Sequence, residues 1–189
     1  MDTKLSNSEN ALSCTIFGST GLIGSHLKES LRTDQTFSKV NLPKRRANGA
    51  ENESKLQQIH IDFEELDQYQ DLFKVDVIFI CLGTTMKKAG SKEAFQKVDK
   101  EIVHQIAKLA KLYGCQKLLM ISSLGADPSS GNFYLKTKGE AELVVREDGP
   151  EQLFILRPAL LLGDRKEFRF GERIAQWLMP LFSFLLIGG

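Results

Sequence analysis

A chain of 189 residues with a 42% hydrophobic and a 26% charged share is long enough for one well-cored domain and too apolar for general disorder. Lys and Arg number 25 against 24 Asp and Glu, and a net charge of +1 gives no reason to expect nucleic acid or an anionic membrane as a partner. The three cysteines, Cys14, Cys81 and Cys115, are odd in number and widely spaced, and read as small buried hydrophobes rather than a disulfide framework.

Residues 1–11 are polar and expected to be a disordered tail. They lack the apolar core of a signal peptide, and no run approaches the roughly 18 consecutive apolar residues of a membrane span, so the expectation is a cytoplasmic protein without a membrane partner. The first apolar run, through Cys14-Thr15-Ile16-Phe17, stops at Gly18, and helical spacing then begins at Ile23, Leu27 and Leu31. A strand turning sharply into a helix fits this pattern. Between them lie Gly18, Ser19, Thr20, Gly21, Leu22, Ile23 and Gly24, a GxxGxxG turn. Gly18 can take the angles of a tight turn, Gly21 has no Cβ to hold a pyrophosphate away, and Gly24 lets helix and strand pack closely. The first helical amides have no intrahelical partner and suit an anion. A tight βα turn alone would also account for the glycines. A P-loop is excluded, because Gly24 is followed by Ser25 and His26.

Residues 37–42 suggest a short second strand, with Pro43 closing it or placing it near a sheet edge. The basic run Lys44-Arg45-Arg46 follows. In a dinucleotide fold the tip of the second strand lies beside the adenosine ribose, so Arg45 and Arg46 favour NADP(H) over NAD(H); the alternative is a solvated turn. After a loose loop over 47–55, residues 56–61 alternate as a third strand whose last neighbours, Asp62 and Phe63, fall by the adenine. Residues 64–73 form a short helical or irregular link. Residues 75–82 are the most continuous β-branched and apolar run, as expected of a central parallel strand, and Leu82, Gly83, Thr84 and Thr85 then line the crevice at its carboxyl end.

From Ser91 to Tyr113, Phe95, Val98, Ile102, Ile106, Leu109 and Tyr113 recur at helical steps, and Gly114 caps the helix. His104 reads as a helix-surface residue, and the three histidines suggest no metal site. Residues 116–121 form another strand, followed by Ser122 and Ser123. A helix begins near Tyr134 and stops before Gly149-Pro150, and residues 153–158 are a last strand. The alternation specifies an α/β fold with a doubly wound parallel sheet, in a single domain.

Tyr134 and Lys138 stand four apart and project from one helix face. A free phenol, with a pKa of about 10, is a poor acid or base near neutrality. A neighbouring ammonium and the positive ring of an oxidised nicotinamide favour the phenolate, which makes Tyr134 a usable proton donor or acceptor. A serine hydroxyl, from Ser122 or Ser123, can hold a carbonyl oxygen against it.

On Gly18 to Gly24, Cys81-Leu82-Gly83-Thr84-Thr85, Ser122 to Asp127, Tyr134 to Glu140 and Leu156-Arg157-Pro158, the sequence resembles a short-chain dehydrogenase/reductase of the atypical or extended kind. LGTT, SSLGAD, YLKTKGEAE and RPALLLGDR, with the later Arg169-Phe170-Gly171-Glu172, resemble more narrowly the branch of HIV Tat-interacting oxidoreductase-like proteins and their bacterial relatives. The resemblance covers roughly residues 12–189. It implies an NAD(P)-binding Rossmann domain over 12–158 and a substrate-side segment over 159–189. It also implies bound NADP(H), with Ser123 favoured over Ser122 beside Tyr134 and Lys138, Asp62 and Phe63 flanking adenine, and Pro158, Leu160 and Leu161 near the nicotinamide. The implied activity is hydride exchange with a small carbonyl or alcohol. A non-catalytic redox sensor acting on a regulatory protein partner is the alternative. A nucleotide-sugar epimerase fits less well, since residues 159–189 are too few for a sugar-nucleotide domain. Family members continue past this chain's apolar end, so the chain is expected to be shortened; membrane attachment of that end is the lesser alternative.

Overall fold

The computed structural model describes residues 11–45 and 53–158. Arg46, Leu160 and Leu161, the residues 1–10 of the polar tail, the greater part of the 47–55 loop and the 159–189 segment lie outside the described residues.

Six parallel strands form one sheet in the order β3-β2-β1-β4-β5-β6. They are β1 (Leu12–Phe17), β2 (Phe37–Lys44), β3 (Leu56–His60), β4 (Val77–Ile80), β5 (Lys117–Ile121) and β6 (Gln152–Leu156). The doubly wound α/β fold expected from the alternation of elements is the fold observed. Helix α1 (Leu22–Thr33) covers one face, where Leu27 and Leu31 pack on Cys14, Ile16, Val40, Val77 and Phe79. On the other face, α4 (Ile102–Leu112) and α5 (Phe133–Asp148) bury Ile106, Ala110, Ala141 and Val145 against Phe17, Ile78, Ile80, Leu118 and Met120. Both faces of the central strands are therefore apolar, which is why β4 reads as an unbroken hydrophobic run rather than an alternating one. Strand order reverses between β1 and β4, and ligands of open α/β sheets bind at the carboxyl ends beside such a reversal.

Three expectations need correction. β2 runs on through Pro43 to Lys44 and lies inside the sheet, between β1 and β3. The Val40 amide donates to Lys55 on the β3 side, so the position of residue 43 faces β1, whose pairing with β2 ends at Thr15–Asn41. The missing proline N–H therefore breaks no ladder bond.

The single helix expected over 91–113 is divided. A four-residue helix α2 (Met86–Ala89) precedes α3 (Lys92–Gln96), and a π-helical turn, Lys97–Glu101, joins α3 to α4. In that turn Asp99, not Val98, is buried, with no exposed surface. His104, read as a surface residue, is about one-third exposed, and its Nε2 lies 2.5 Å from Asp148 Oδ2, tying α4 to α5.

Candidate active site and cofactor crevice

The glycine turn after β1 is built by close approach. Gly18 has φ +91°, and a Cβ there would lie 2.6 Å from the Cys81 carbonyl group. A Cβ on Gly24 would fall 2.2 Å from the Gly18 carbonyl oxygen, so the first turn of α1 can rest on the strand end only without a side chain. Gly21 differs. Its Cβ would meet the protein only at 3.4 Å, and as the exposed N-cap of α1 it brings no side chain to the first amides. The Ser19 hydroxyl is buried in the same turn and has no hydrogen-bond partner among the described residues. Thr20 and Leu22 are exposed and Ile23 half-buried. First helical amides left uncovered by any side chain at Gly21, with a buried hydroxyl beside them, fit a diphosphate at this helix terminus.

Beside the turn lies a hollow of about 430 Å³ lined by Gly18, Thr20, Pro43, Lys44, Arg45, Phe63 and Leu82. Residues chosen from four separate stretches of sequence thus share one concavity. The Arg45 guanidinium lies 5.8 Å above the Phe63 ring, within cation–π range. Phe63 also packs at 6.4 Å against Phe17, so its ring is half wall and half core. Desolvation, reinforced by Lys28, holds the Lys44 ammonium below the ordinary lysine range, a place where an anion would be welcome. Asp62, expected beside the adenine, is exposed. Its carboxylate accepts the Glu64 amide at 2.9 Å in a local turn, and its own N–H donates to the Tyr69 hydroxyl oxygen at 3.1 Å.

After β4, Gly83 is exposed and Thr84 half-buried, while the exposed Thr85 caps α2 by accepting the Lys88 amide. Burial pushes the neighbouring Cys81 thiol up to about 12, so it serves as a small apolar side chain.

On α5, Asn132 caps the first turn, and Tyr134, Lys138 and Glu142 follow at steps of four on one stripe. The half-buried Tyr134 ring packs 5.8 Å from Phe95. Lys138 is 5% exposed, and its Nζ lies 2.7 Å from Oδ1 of Asp99. The other carboxylate oxygen of Asp99 accepts the Thr84 amide at 2.9 Å. A Cβ on Gly83 would stand 3.9 Å from the lysine Nζ, so the ammonium reaches the loop at the carboxyl end of β4.

The two serines part company. The Ser122 hydroxyl donates to Glu142 Oε1 at 2.5 Å, facing into the protein beneath α5. Ser123 is 4% exposed, and its hydroxyl makes a long 3.3 Å bond to the carbonyl of Leu124. Burial pushes the Glu142 carboxyl up, but hydrogen bonds from Arg157, Ser122 and Arg146 outweigh it and hold the group below its ordinary range. Pro158 accepts the Leu124 amide at 3.0 Å.

Asp99 and Glu142 were not singled out among the chemical residues of the sequence. A signal existed in both cases. Asp99 sits four after Phe95 and three before Ile102, a core-facing position for an acid, and Glu142 continues the Tyr134–Lys138 stripe.

A family model described as NAD(P)H-binding matches residues 18–174. The chain belongs to the NAD(P)H-binding family. Protein HTATIP2 of Rattus norvegicus is 43% identical over 164 residues, covering 85% of this chain and 67% of that protein. Protein FMP52, mitochondrial, of Candida albicans is 37% identical over 174 residues, covering 87% and 74%. Among solved structures, the fold matches MoeE5 in complex with UDP-glucose and NAD at a TM-score of 0.63, with 18% identity over 77% of this chain and 53% of that one. WbmG of Bordetella bronchiseptica, in complex with NAD and UDP, matches at a TM-score of 0.65, with 16% identity over 81% and 55%. This NAD(P)H-binding chain spans about half the length of the solved structures it matches, and it shares their Rossmann fold, that of the short-chain dehydrogenase/reductase and epimerase-like proteins.

Several fungal relatives are named mitochondrial, which overturns the cytoplasmic expectation. The missing apolar core argued only against a secretory signal, because mitochondrial presequences are amphipathic rather than apolar. Among the described residues, no helix is long and apolar enough to cross a membrane.

Proposed function

We propose that the protein is an NADP(H)-dependent oxidoreductase of the short-chain dehydrogenase/reductase type, acting on a small carbonyl or alcohol. The observation that carries this reading is Lys138. A buried ammonium on the Tyr134 face of α5 reaches the Gly83–Thr84 loop, at the point where strand order reverses and the glycine turn opens. Asp99 pairs with this lysine, and its reach to the loop at the carboxyl end of β4, beside the reversal of strand order, supports a role toward a dinucleotide in the crevice.

In this reading the amides of α1 and the Ser19 hydroxyl hold the diphosphate, and Arg45 with Lys44 takes the ribose 2′-phosphate. Pro158 walls the far end, and Leu160 and Leu161 are assigned with it. When bound, the cofactor supplies or accepts the hydride. The chain does the rest. Ser123 holds the substrate oxygen, and the Tyr134 phenol gives that oxygen a proton on reduction or takes one on oxidation. Lys138 keeps the phenol oriented and its deprotonated form balanced in charge. Asp99 fixes Lys138, and the Ser122 hydroxyl, spent on Glu142, takes no part in the chemistry.

A second reading rests on the same pair. Asp99 offsets the charge of Lys138, which suits a cofactor-binding sensor that acts through a regulatory protein partner. Titration with NADPH and NADH, together with NADPH consumption over a panel of small carbonyl compounds, separates the two. Tyr134→Phe is expected to lower turnover by about 10²–10⁴-fold, the range for one general acid or base, while NADPH binding stays intact. Arg45→Ala is expected to weaken NADPH and spare NADH. Equal affinity for both nucleotides in each protein would end the NADP assignment, and binding without turnover would leave the sensor.

A further inference from the structure

We propose that Glu142 is a positioning residue that joins the Ser123 segment and the Arg157–Pro158 segment into a single rigid wall on the substrate side of the crevice. The substrate-side role rests on the oxidoreductase reading above; the mechanical role does not. Glu142 has no exposed surface, yet its carboxylate accepts four hydrogen bonds. Arg157 gives two of them, from Nε at 2.8 Å and Nη2 at 2.5 Å, in the bidentate geometry that fixes direction as well as distance. Ser122 gives one from beneath the residue next to Ser123, and Arg146, one turn along α5, gives the last at 3.0 Å.

The two segments so held come from adjacent strands and are laced directly. The Ser122 amide donates to Leu156 at 2.8 Å, and the Leu124 amide donates to Pro158 at 3.0 Å. Glu142 is the point where this double segment is pinned to α5, eight residues from Tyr134 on the same stripe. A second tie lies at the other end of the loop, where the Asp127 amide donates to Leu135, and a Cβ on Gly139 would strike Asp127 and Pro128 at 2.3 Å. Between these ties the Ser123 hydroxyl has a fixed place relative to the Tyr134 phenol. Removing Glu142 frees one end of the wall without touching the glycine turn or the Arg45 hollow.

The test is amide hydrogen exchange of the full chain, comparing Glu142→Gln with the native protein. The Ser122 and Leu124 amides report on the lacing, and residues 19–25 serve as the internal reference. The expected result is exchange about tenfold faster at both reporters together, with the reference unchanged. Where a carbonyl substrate has been found, kcat is expected to fall at least tenfold while NADPH affinity stays within threefold. Faster exchange everywhere alike, faster exchange confined to α5, or no change at the reporters would each overturn the proposal. If Glu142→Gln fails to fold, Ser122→Ala and Arg157→Lys decide: loosening of the reporters in both supports it, and native exchange in both overturns it. A native protein that reduces no carbonyl defeats the oxidoreductase reading and leaves the exchange result to stand by itself.

Discussion

Replacing Lys138 by methionine tests how the buried pair at the centre of the site is held. Its charges stand 2.7 Å apart with side chains 5% and 0% exposed, and at an effective dielectric near 20 their attraction is about 6 kcal/mol. Taking both ions out of water offsets most of that gain, so the net contribution of the pair is small. Lys138→Met removes the attraction and leaves the desolvated Asp99 carboxylate with the Thr84 amide as its recorded hydrogen-bond donor. The expected loss is about 3–5 kcal/mol, the range for stripping one partner from a buried pair. In a chain of this size, at about 2–4 °C per kcal/mol, the midpoint should fall by roughly 6–20 °C. Asp99→Asn combined with Lys138→Met removes both charges, keeps an acceptor for Thr84, and should recover most of the loss. Urea and thermal unfolding of the ligand-free protein, followed by far-ultraviolet circular dichroism, measure the full cycle. A single variant within about 1 kcal/mol of native, or changes that add within about 0.5 kcal/mol, would refute a desolvated and coupled pair. The cycle also protects the functional assignment. Turnover lost in Lys138→Met has a chemical meaning only if the double variant regains stability and not activity.

Gly24→Ala must displace backbone, since its Cβ would lie 2.2 Å from the Gly18 carbonyl, and should cost about 1–3 kcal/mol or more in thermal melts. Gly21→Ala meets only an ordinary 3.4 Å contact; it should melt within about 1 kcal/mol of native yet lose at least tenfold in NADPH affinity by fluorescence titration. Identical behaviour of the two would argue against a diphosphate at Gly21. The Glu142 carboxyl, held below its ordinary range in the fold, contributes stability that is full above about pH 4.5 and is lost as pH falls through its lowered folded value. Urea midpoints measured from pH 6 down to pH 3 should therefore drop less steeply in Glu142→Gln than in the native protein, and parallel curves would contradict the bonding described.

What was legible in the sequence was whatever changes period. β1 ends where apolar residues cease to be adjacent and begin to recur at three and four, and the three glycines fall in that change, so turn, helix start and crevice could all be located. β4 was legible because burial on both faces leaves no alternation to misread. Asp99 was hidden by a choice between equals: Val98 and Asp99 both suit the spacing from Phe95 to Ile102, and hydropathy selects the valine. The π turn there brings in the acid instead, and such turns gather at functional sites. Pro43 misled for a related reason. A residue without an amide signals an edge only where the ladder on its N–H side runs past it, and the β1–β2 pairing ends at Thr15–Asn41, before Pro43.

The inner stripe of α5 shows why these omissions share one cause. Packing is supplied by Ala141 and Val145, while Lys138 and Glu142 belong to ion pairs whose replacement as whole pairs by well-packed apolar residues would cost little or no stability. Each charge finds its partner on a different element. Asp99, from the π turn, also holds the loop after β4, and Arg157 leads out of β6. The buried Lys138–Asp99 pair and the pair of the buried Glu142 with the exposed Arg157 thereby set the loops at the carboxyl ends of β4, β5 and β6 relative to a single helix, which apolar contacts, lacking direction, would do less exactingly. Positioning is what these charges add: the acids sit at legible spacings, but the partners that give them meaning lie far apart in the chain, where neither periodicity nor hydropathy pairs them.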